Sequence, residues 1–301
     1  MSETSLRLWR ARLGFCRLRL VLLTALTMAA FASNSILNRW ALLDGETGPA
    51  AFQALRVVAG AVCLGVLLSF RGNMPKLLTR RRVAGTGSLM TYMLGFSFAY
   101  VALDAGVGAL ILFGGVQVTM FAGALINGER PPVLRWIGAF VAFSGLIWLL
   151  WPGAVGAPAL GAALMMGVAA IGWGVYSLAG RGATDPMAET GANFICAVPF
   201  ACLAWLIVQD GMSGSGVVLA IVCGAVTSGL GYALWYSVLP KLDAAVAALA
   251  QLTVPVIAVL GGVVILGEGA SGRLIMASAV VLGGVALGVL GGQRKIGSKA
   301  S

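Results

Sequence analysis

The chain has 301 residues, of which 59% are apolar and 10% are charged, and its formal net charge is +10. Soluble domains carry roughly 25% charged residues, so this composition excludes an ordinary soluble enzyme or binding domain. The chain has no histidine, and its five cysteines lie scattered through apolar stretches. A metal centre or a disulfide framework is therefore not expected.

Ten runs of mainly apolar residues follow one another along the chain, separated by Gly, Pro and charged residues. Each is close to the ~20 residues that a helix needs to cross ~30 Å of hydrocarbon. We therefore predict an all-α polytopic membrane protein with ten transmembrane helices and short connections. The predicted spans are 20–43, 49–70, 84–103, 105–127, 133–151, 159–180, 187–209, 216–239, 244–266 and 272–290.

The basic residues are distributed unevenly between the two sides of the predicted membrane. Most of them lie in segment 1–19, in the tail 291–301, and in the loops on the same side. Because cytoplasmic loops retain Lys and Arg, both termini are expected to be cytoplasmic in a bacterial-type inner membrane. The positive charge then indicates topology and contact with anionic lipid, and no nucleic-acid surface is expected. Segment 1–32 also resembles a cleavable signal sequence, but the apolar run continues past it, which favours retention.

Two segments of the chain are similar to each other. Residues 103–129 and 242–268 align without gaps, and both begin with Leu-Asp-Ala and end with Gly-Glu. Asp104 pairs with Asp243, and Glu129 pairs with Glu268. The two copies are five spans apart, so they cross the membrane in opposite directions. This predicts two inverted five-helix repeats, 20–151 and 152–290, a construction that recurs in secondary transporters.

Helix breakers occupy nearly matching places in the two similar segments. Gly114 and Gly115 lie in the middle of the fourth span, and Pro255 lies in the middle of the ninth. Proline lacks an N–H and clashes with the preceding turn, so carbonyls near Gln251 are expected to be free. Paired interruptions indicate a substrate site, and a packing kink without a ligand is an equal alternative.

The second half of the chain carries the clearest family resemblance. The matching residues are SGLGYALWY at 228–236, Lys-Leu-Asp at 241–243, Pro255 and Gly-Glu at 267–268, and Arg56 also matches a family position. With these residues the sequence resembles the EamA-type drug/metabolite transporter family over most of its length. The resemblance implies that helices one to four and six to nine enclose a cavity, with five and ten at the periphery. In overall character the chain is similar to the YddG-type exporters of aromatic amino acids.

Arg56 is the charged residue that we single out inside a predicted span. It could face a cavity and attract a substrate carboxylate, or it could snorkel to the surface or pin a neighbouring helix, which is the favoured alternative. Asn34 and Asn38 lie one turn apart and could bind the charged ends of a zwitterion, or they could join helices.

Aromatic side chains recur at helical spacing. Tyr92, Phe96 and Tyr100 share one face of the third helix, and Trp173 lies too deep in the membrane to be an interfacial anchor. Such walls suit aromatic or large apolar cargo, although ordinary packing is the alternative for each ring. The predicted substrate-binding residues are Asn34, Asn38, Arg56, Tyr92, Phe96, Tyr100, Gln117, Trp173, Tyr176, Asn193, Trp235 and Gln251.

These features predict a transporter that exports amino acids, including aromatic and other large apolar ones, by alternating access. We expect no Asp or Glu within the hydrocarbon spans, which favours facilitated diffusion or exchange over proton antiport. No GxxxxGK[ST] loop is present, so no ATP hydrolysis, no cofactor and no catalytic site are expected. The expected partners are a small-molecule substrate and membrane lipid.

A glycine stripe at Gly284, Gly288 and Gly292 permits close packing within a monomer or at a homodimer seam. The alternatives are a drug or other metabolite exporter of the same fold, and a pore or channel.

Overall fold

The computed structural model describes residues 3–72, 75–77, 79–128, 131–151, 157–180, 183–242 and 244–297. Throughout these residues the regular structure is helical and no strand occurs, which confirms the predicted all-α class. The helices are α1 Glu3–Leu42, α2 Pro49–Arg71, α3 Arg80–Ala99, α4 Ala105–Ile126, α5 Val133–Leu150, α6 Leu160–Gly180, α7 Pro186–Val208, α8 Gly214–Lys241, α9 in two parts, Ala244–Gln251 and Thr253–Leu266, and α10 Gly272–Gly297.

Each of the ten predicted spans coincides with one of these helices. By length and composition, nine helices of the described chain could cross a membrane, and α3 is the remaining one. It has 20 residues and begins with three arginines, which lower its mean hydropathy. Helices α1 and α10 extend beyond the predicted spans into the basic segments at either end of the chain. Glu129 and Asp243, which complete the residue pairs of the predicted repeat, lie outside the described residues.

Local sequence explains where several helices begin. Asp185 accepts a hydrogen bond from the Ala188 N–H, and Pro186 occupies the first helical position of α7. Both features satisfy or remove backbone donors that a helix start leaves unpaired. The start of α2 is capped from a distant part of the chain, because Asp210 accepts hydrogen bonds from Ala50 N and Ala51 N at 2.8 Å.

Small residues set the closest helix contacts. A Cβ atom on Gly172 would lie 2.5 Å from Tyr92 N, so α6 packs directly on the backbone of α3. A Cβ atom on Gly138 would lie 2.5 Å from Gly284 O and from Gly288 N. Two glycines of the predicted stripe therefore serve the contact of α10 with α5 within one chain. The side-chain surroundings of Gly292 lie outside the described part of the structure.

The two predicted helix interruptions differ in outcome. Helix α4 runs unbroken through Gly114 and Gly115, contrary to expectation. A Cβ atom on Gly115 would lie 2.7 Å from Ala170 Cβ, so this glycine permits contact with α6 and does not break α4. Helix α9 is divided at Leu252, three residues before Pro255, because proline cannot donate a hydrogen bond to the carbonyl of Gln251.

Helix α8 contains a feature that the sequence analysis did not predict. Residues Val222–Leu230 form a π-helix between two α-helical parts. The wider turn changes which side chains face the neighbouring helices, and it directs Thr227 and Ser228 toward Asn34 of α1. Such segments are rare and often occur at functional sites.

The two ends of the helix bundle differ. One end, here named the sealed face, carries the connections 43–48, 100–104, 209–213 and 267–271. There Asp210 bonds to the start of α2, and Glu268 bonds to the start of α4. At the other end, named the open face, α2 and α3 meet the start of α7. There Arg71 contacts the Met187 sulfur at 3.0 Å, and Arg82 pairs with Glu189.

Candidate functional site

A cavity of about 320 Å³ lies among the helices. Its inner end is formed by Asn34 and Ser35, about two turns before the end of α1. It extends to Ala183, in the connection between α6 and α7, and to Pro186, at the start of α7, and so reaches the open face. Small-molecule sites typically enclose ~300–1,000 Å³, so this volume suits a compact ligand.

Aromatic rings line much of the cavity and touch one another. Trp173 is central: its ring stacks with Tyr176 at 5.3 Å and 22°, and with Tyr232 at 5.8 Å and 29°. It also contacts Tyr92 at 4.9 Å, and Tyr232 stacks with Tyr236 at 6.4 Å. The wall thus joins α3, α6 and α8, and its ring faces can bind an apolar or cationic group.

The structure brings together most of the predicted site residues. Asn34, Tyr92, Phe96, Trp173, Tyr176, Asn193, Trp235 and Gln251 line the cavity. Asn38, Arg56, Tyr100 and Gln117 are not among the lining residues. The sequence analysis did not assign Ser35, Glu189, Thr190, Tyr232 or Tyr236 to the site, although all five line it. The two tyrosines lie within the 228–236 motif, which could have identified them.

Arg56 lies behind the inner end of the cavity and is fully buried. Its Nη2 atom donates to Asn34 Oδ1 at 3.1 Å and to Ser228 Oγ at 3.2 Å, and its guanidinium lies 5.3 Å from the centre of the Phe96 ring. Asn34 Oδ1 also accepts from Thr227 Oγ1 at 2.8 Å. Arg56 therefore connects α2 to α1, α3 and α8, and no carboxylate of the described residues pairs with it.

A second charged group lies at the mouth of the cavity. Arg82 Nη1 donates to Glu189 Oε2 at 2.7 Å and to Asn193 Oδ1 at 3.2 Å. Glu189 lies in the first turn of α7, inside the predicted span 187–209, and it lines the cavity. The expectation that no carboxylate belongs to the spans is therefore wrong. The reason is that Arg82 supplies a partner across the helix interface, which lowers the free-energy cost of burying the charge.

Hydroxyl groups extend this polar network across the mouth. Tyr176 Oη donates to Thr190 Oγ1 at 3.0 Å, and Thr190 Oγ1 lies 2.9 Å from Tyr236 Oη. Three helices, α6, α7 and α8, are thus joined where the cavity nears the open face. The rings that contribute these hydroxyls are the same rings that form the aromatic wall.

Arg39 organises the sealed face. Its Nη1 atom donates to the carbonyls of Tyr100 and Val101, both at 3.0 Å, and its Nε atom lies 3.6 Å from Glu268 Oε1. Glu268 accepts from the N–H of Ala105, at the start of α4, at 2.9 Å. Burial raises the pKa of the Glu268 carboxyl, and the neighbouring Asp104 adds to that effect while Arg39 opposes it.

Comparison with known proteins places the chain in a family. Residues 160–290 match the EamA-like transporter family. An uncharacterized protein of Pseudomonas aeruginosa is 47% identical over 271 residues, which are 89% of this chain and 94% of the relative. The chain belongs to the EamA-like transporter family. This EamA-like chain is also 23% identical over 252 residues to an uncharacterized transporter of Archaeoglobus fulgidus, covering 79% of this chain and 87% of that one.

The fold of the EamA-like chain is shared with a solved structure. A crystal structure of a protein aligns with a TM-score of 0.64 and 21% identity, covering 92% of this chain and 97% of the other. Together with its apolar helices, the family makes the chain a multi-pass membrane transporter. Its cavity is the candidate substrate site.

Proposed function

We propose that the protein exports amino acids, including aromatic and other large apolar ones, without ATP hydrolysis. The observation that carries the proposal is the aromatic wall around Trp173, which lies next to amide and hydroxyl groups in one cavity. The rings suit an apolar side chain, while Asn34, Ser35 and Asn193 can bind the polar groups of an amino acid. The cavity volume of about 320 Å³ favours a compact substrate over a large drug.

We further propose that transport proceeds by alternating access between two inverted repeats. The packing pattern supports the duplication: α3 packs on α6 as α8 packs on α1, and α4 packs on α6 as α9 packs on α1. Helices α2 and α7, α4 and α9, and α5 and α10 pair across the two halves. Such a molecule can exchange the roles of its two ends around a central site.

The charge asymmetry supports an orientation for this cycle. If both termini are cytoplasmic in a bacterial-type inner membrane, the open face is cytoplasmic and the structure is an inward-open form. In the proposed cycle, an amino acid enters from the cytoplasm, the open face closes, and the sealed face opens to release it.

A second candidate function is the export of a drug or another metabolite. Glu189 is about one-third exposed at the mouth of the cavity, and only one of its oxygens pairs with Arg82. A carboxylate beside aromatic rings can attract an organic cation. A permanently open pore is not supported, because Arg39, Glu268 and Asp210 close the sealed face.

The proposal is tested by uptake of labelled phenylalanine, tryptophan and methionine into proteoliposomes, with and without a pH gradient. We expect saturable flux that survives collapse of the gradient. Flux that increases linearly with concentration would indicate a pore. Absence of flux for every amino acid, from protein shown to be folded, would contradict the proposed cargo.

Trp173→Ala is the informative variant in this assay. We expect the concentration of an aromatic substrate that gives half-maximal flux to rise at least about tenfold, because the variant removes the central ring of the wall. Trp136→Ala is the matched control, because that ring is half-exposed on α5 and contacts Phe121 away from the cavity. Equal effects of the two variants would show that the wall does not bind substrate.

A further inference from the structure

Several fully buried polar atoms between the cavity and the sealed face lack partners. Within the described part of the chain, Arg56 Nε and Nη1, Asn38 Nδ2, and both amide atoms of Gln53 form no hydrogen bond of normal geometry. All three side chains are completely buried. Four of these five atoms are nitrogen donors, and the fifth is the Gln53 oxygen.

These side chains form two polar layers. Gln53 lies three residues before Arg56, so the two share one face of α2, and Asn38 lies four residues after Asn34 on α1. Because α1 runs toward the sealed face and α2 runs away from it, both Asn38 and Gln53 are one turn closer to that face than Arg56. The Ser97 hydroxyl lies 3.5 Å from Asn38 Oδ1 and donates to the Pro49 carbonyl at 2.9 Å.

The two layers extend the line of the cavity. Asn34 lines the inner end of the cavity and contacts Arg56. Asn38 and Gln53 follow, and Arg39 then reaches the surface at the sealed face. Polar groups thus continue beyond the lining of the cavity toward the sealed face.

Unpaired buried donors destabilise a fold, and they are rare in native proteins. In a membrane protein, polar groups at this depth usually mark the pathway of a ligand or water. The unpaired nitrogens outnumber the unpaired oxygen, and one group is a guanidinium with no carboxylate partner among the described residues. An anionic acceptor would satisfy these donors and the charge of the guanidinium.

We propose that Arg56, Gln53 and Asn38 form a carboxylate-binding subsite that becomes accessible when the sealed face opens. This inference deepens the proposed function, on which it rests, because it assigns the carboxylate of the substrate to one half of the pathway. The aromatic wall binds the side chain, and the subsite accepts the carboxylate as the substrate moves toward the sealed face. Substrates without a carboxylate are then excluded even when their rings fit the wall.

The first test compares three probes that share one ring. Phenylalanine carries both charged groups, 3-phenylpropionate lacks the ammonium, and phenethylamine lacks the carboxylate. We expect unlabelled 3-phenylpropionate to inhibit uptake of labelled phenylalanine, and phenethylamine to inhibit at least about tenfold more weakly, because it cannot bind the guanidinium. Equal or stronger inhibition by phenethylamine would overturn the proposal.

The second test separates a subsite from ordinary packing. Gln53→Met and Asn38→Leu keep most of the side-chain volume and remove the unpaired polar atoms. We expect both variants to unfold at a temperature equal to or above that of the wild type, and to transport phenylalanine at least about tenfold more slowly. A structural role alone would not give a more stable and less active protein.

Thr86→Val is the matched control. Thr86 is buried, its Oγ1 atom also lacks a hydrogen bond, and it lies on α3 outside the two layers. We expect this variant to gain stability in the same way and to keep its transport rate. Wild-type transport by Gln53→Met and Asn38→Leu would overturn the subsite.

The failure of the subsite can be distinguished from the failure of the proposed function. If amino acids are transported but phenethylamine competes as well as 3-phenylpropionate, only the subsite is wrong. If no amino acid is transported, thermal stabilisation of the purified protein by 3-phenylpropionate, lost in Gln53→Met, would support the subsite and reject the cargo. No stabilisation by this probe would reject both.

Discussion

At the scale of single residues, Asn34 has the most connections in the site. Its Oδ1 atom accepts hydrogen bonds from Arg56 Nη2, Thr227 Oγ1 and Ser228 Oγ, which belong to two other helices. One carboxamide thus fixes a charged side chain and the π-helical part of α8. It also lines the cavity, so a change at Asn34 affects both stability and binding.

Replacing Asn34 by Leu should destabilise the fold by about 1–3 kcal/mol, because an acceptor shared by three buried donors is removed. Denaturant unfolding of the detergent-solubilised protein would measure the change. Asn127→Leu is the control, since Asn127 is exposed at the end of α4 and its replacement should change stability by at most ~0.5 kcal/mol. Equal unfolding midpoints for the two variants would contradict the role of Asn34.

Single residues also show which features of the site could be predicted from the sequence and which could not. Asn34 and Trp173 were predicted site residues because their polarity or central depth is visible in the sequence. Glu189 was overlooked although it lies within the predicted span 187–209, and only its pairing with Arg82, which is distant in sequence, required the structure. Gln53 and Asn38 gave no sign of being unpaired, since pairing is a property of three-dimensional packing.

At the scale of helices, the sealed face closes because the second half supplies two carboxylates to helix starts in the first half. Asp210 caps α2, and Glu268 caps α4. Negative groups at helix N-termini are favourable because they pair with unpaired N–H groups and with the helix dipole. Opening this face therefore breaks helix caps as well as an ion pair.

Glu268 should make this closure depend on pH. In the sealed form, burial raises the pKa of its carboxyl above the ordinary value of 4.5. The hydrogen bond from the Ala105 N–H opposes this effect, Asp104 raises the pKa further and Arg39 lowers it. On opening, the pKa falls back toward 4.5, so the sealed form binds the proton more tightly. Acidification therefore stabilises the sealed form between the raised pKa and 4.5, and this stabilisation is lost as the pH rises through the raised value.

We accordingly expect transport to slow as the solution at the sealed face is acidified from neutral pH toward 4.5. Glu268→Gln should remove this component of the pH dependence, because the amide does not titrate. Asp44→Asn is the control, since Asp44 is exposed on the same face and bonds only within its own loop. Stopped-flow flux over a pH series would measure the effect. An unchanged pH profile in Glu268→Gln would contradict it.

The helices themselves show which parts of the fold were predictable. Their number and position follow from apolar run length, because crossing hydrocarbon sets a minimum length. The interruption of α9 followed from Pro255, but Gly114 and Gly115 were misinterpreted. Glycine does not break a helix whose backbone hydrogen bonds are intact, and its effect depends on the neighbour that packs on it. The π-helix in α8 was not predicted from the sequence.

At the scale of the whole molecule, the described contacts close one end of the bundle and leave a cavity near the other. Thr47 Oγ1 lies 2.8 Å from Ser213 Oγ, which joins two connections of the sealed face. Alternating access requires these connections to separate during transport. A covalent bond between them should therefore stop the cycle.

A Thr47→Cys/Ser213→Cys double variant, made in a background without the native cysteines, tests this requirement. Oxidation should abolish saturable transport, and reduction should restore it. Each single variant is its own control, because it cannot form the intramolecular bond. Full transport by the oxidised double variant would show that the sealed face need not open.

The capping of α2 and α4 by carboxylates of the second half has a kinetic consequence. If the sealed form predominates without substrate, only a small fraction of the molecules can bind a ligand from the solution at the sealed face. Its apparent affinity is reduced by that fraction, whereas a ligand at the open face meets no such reduction. The substrate concentration that gives half-maximal flux should therefore differ between the two directions of transport. At equilibrium, an uncoupled substrate should reach the same concentration on both sides of the membrane. The caps change the populations of the two forms of the transporter, but they supply no driving force.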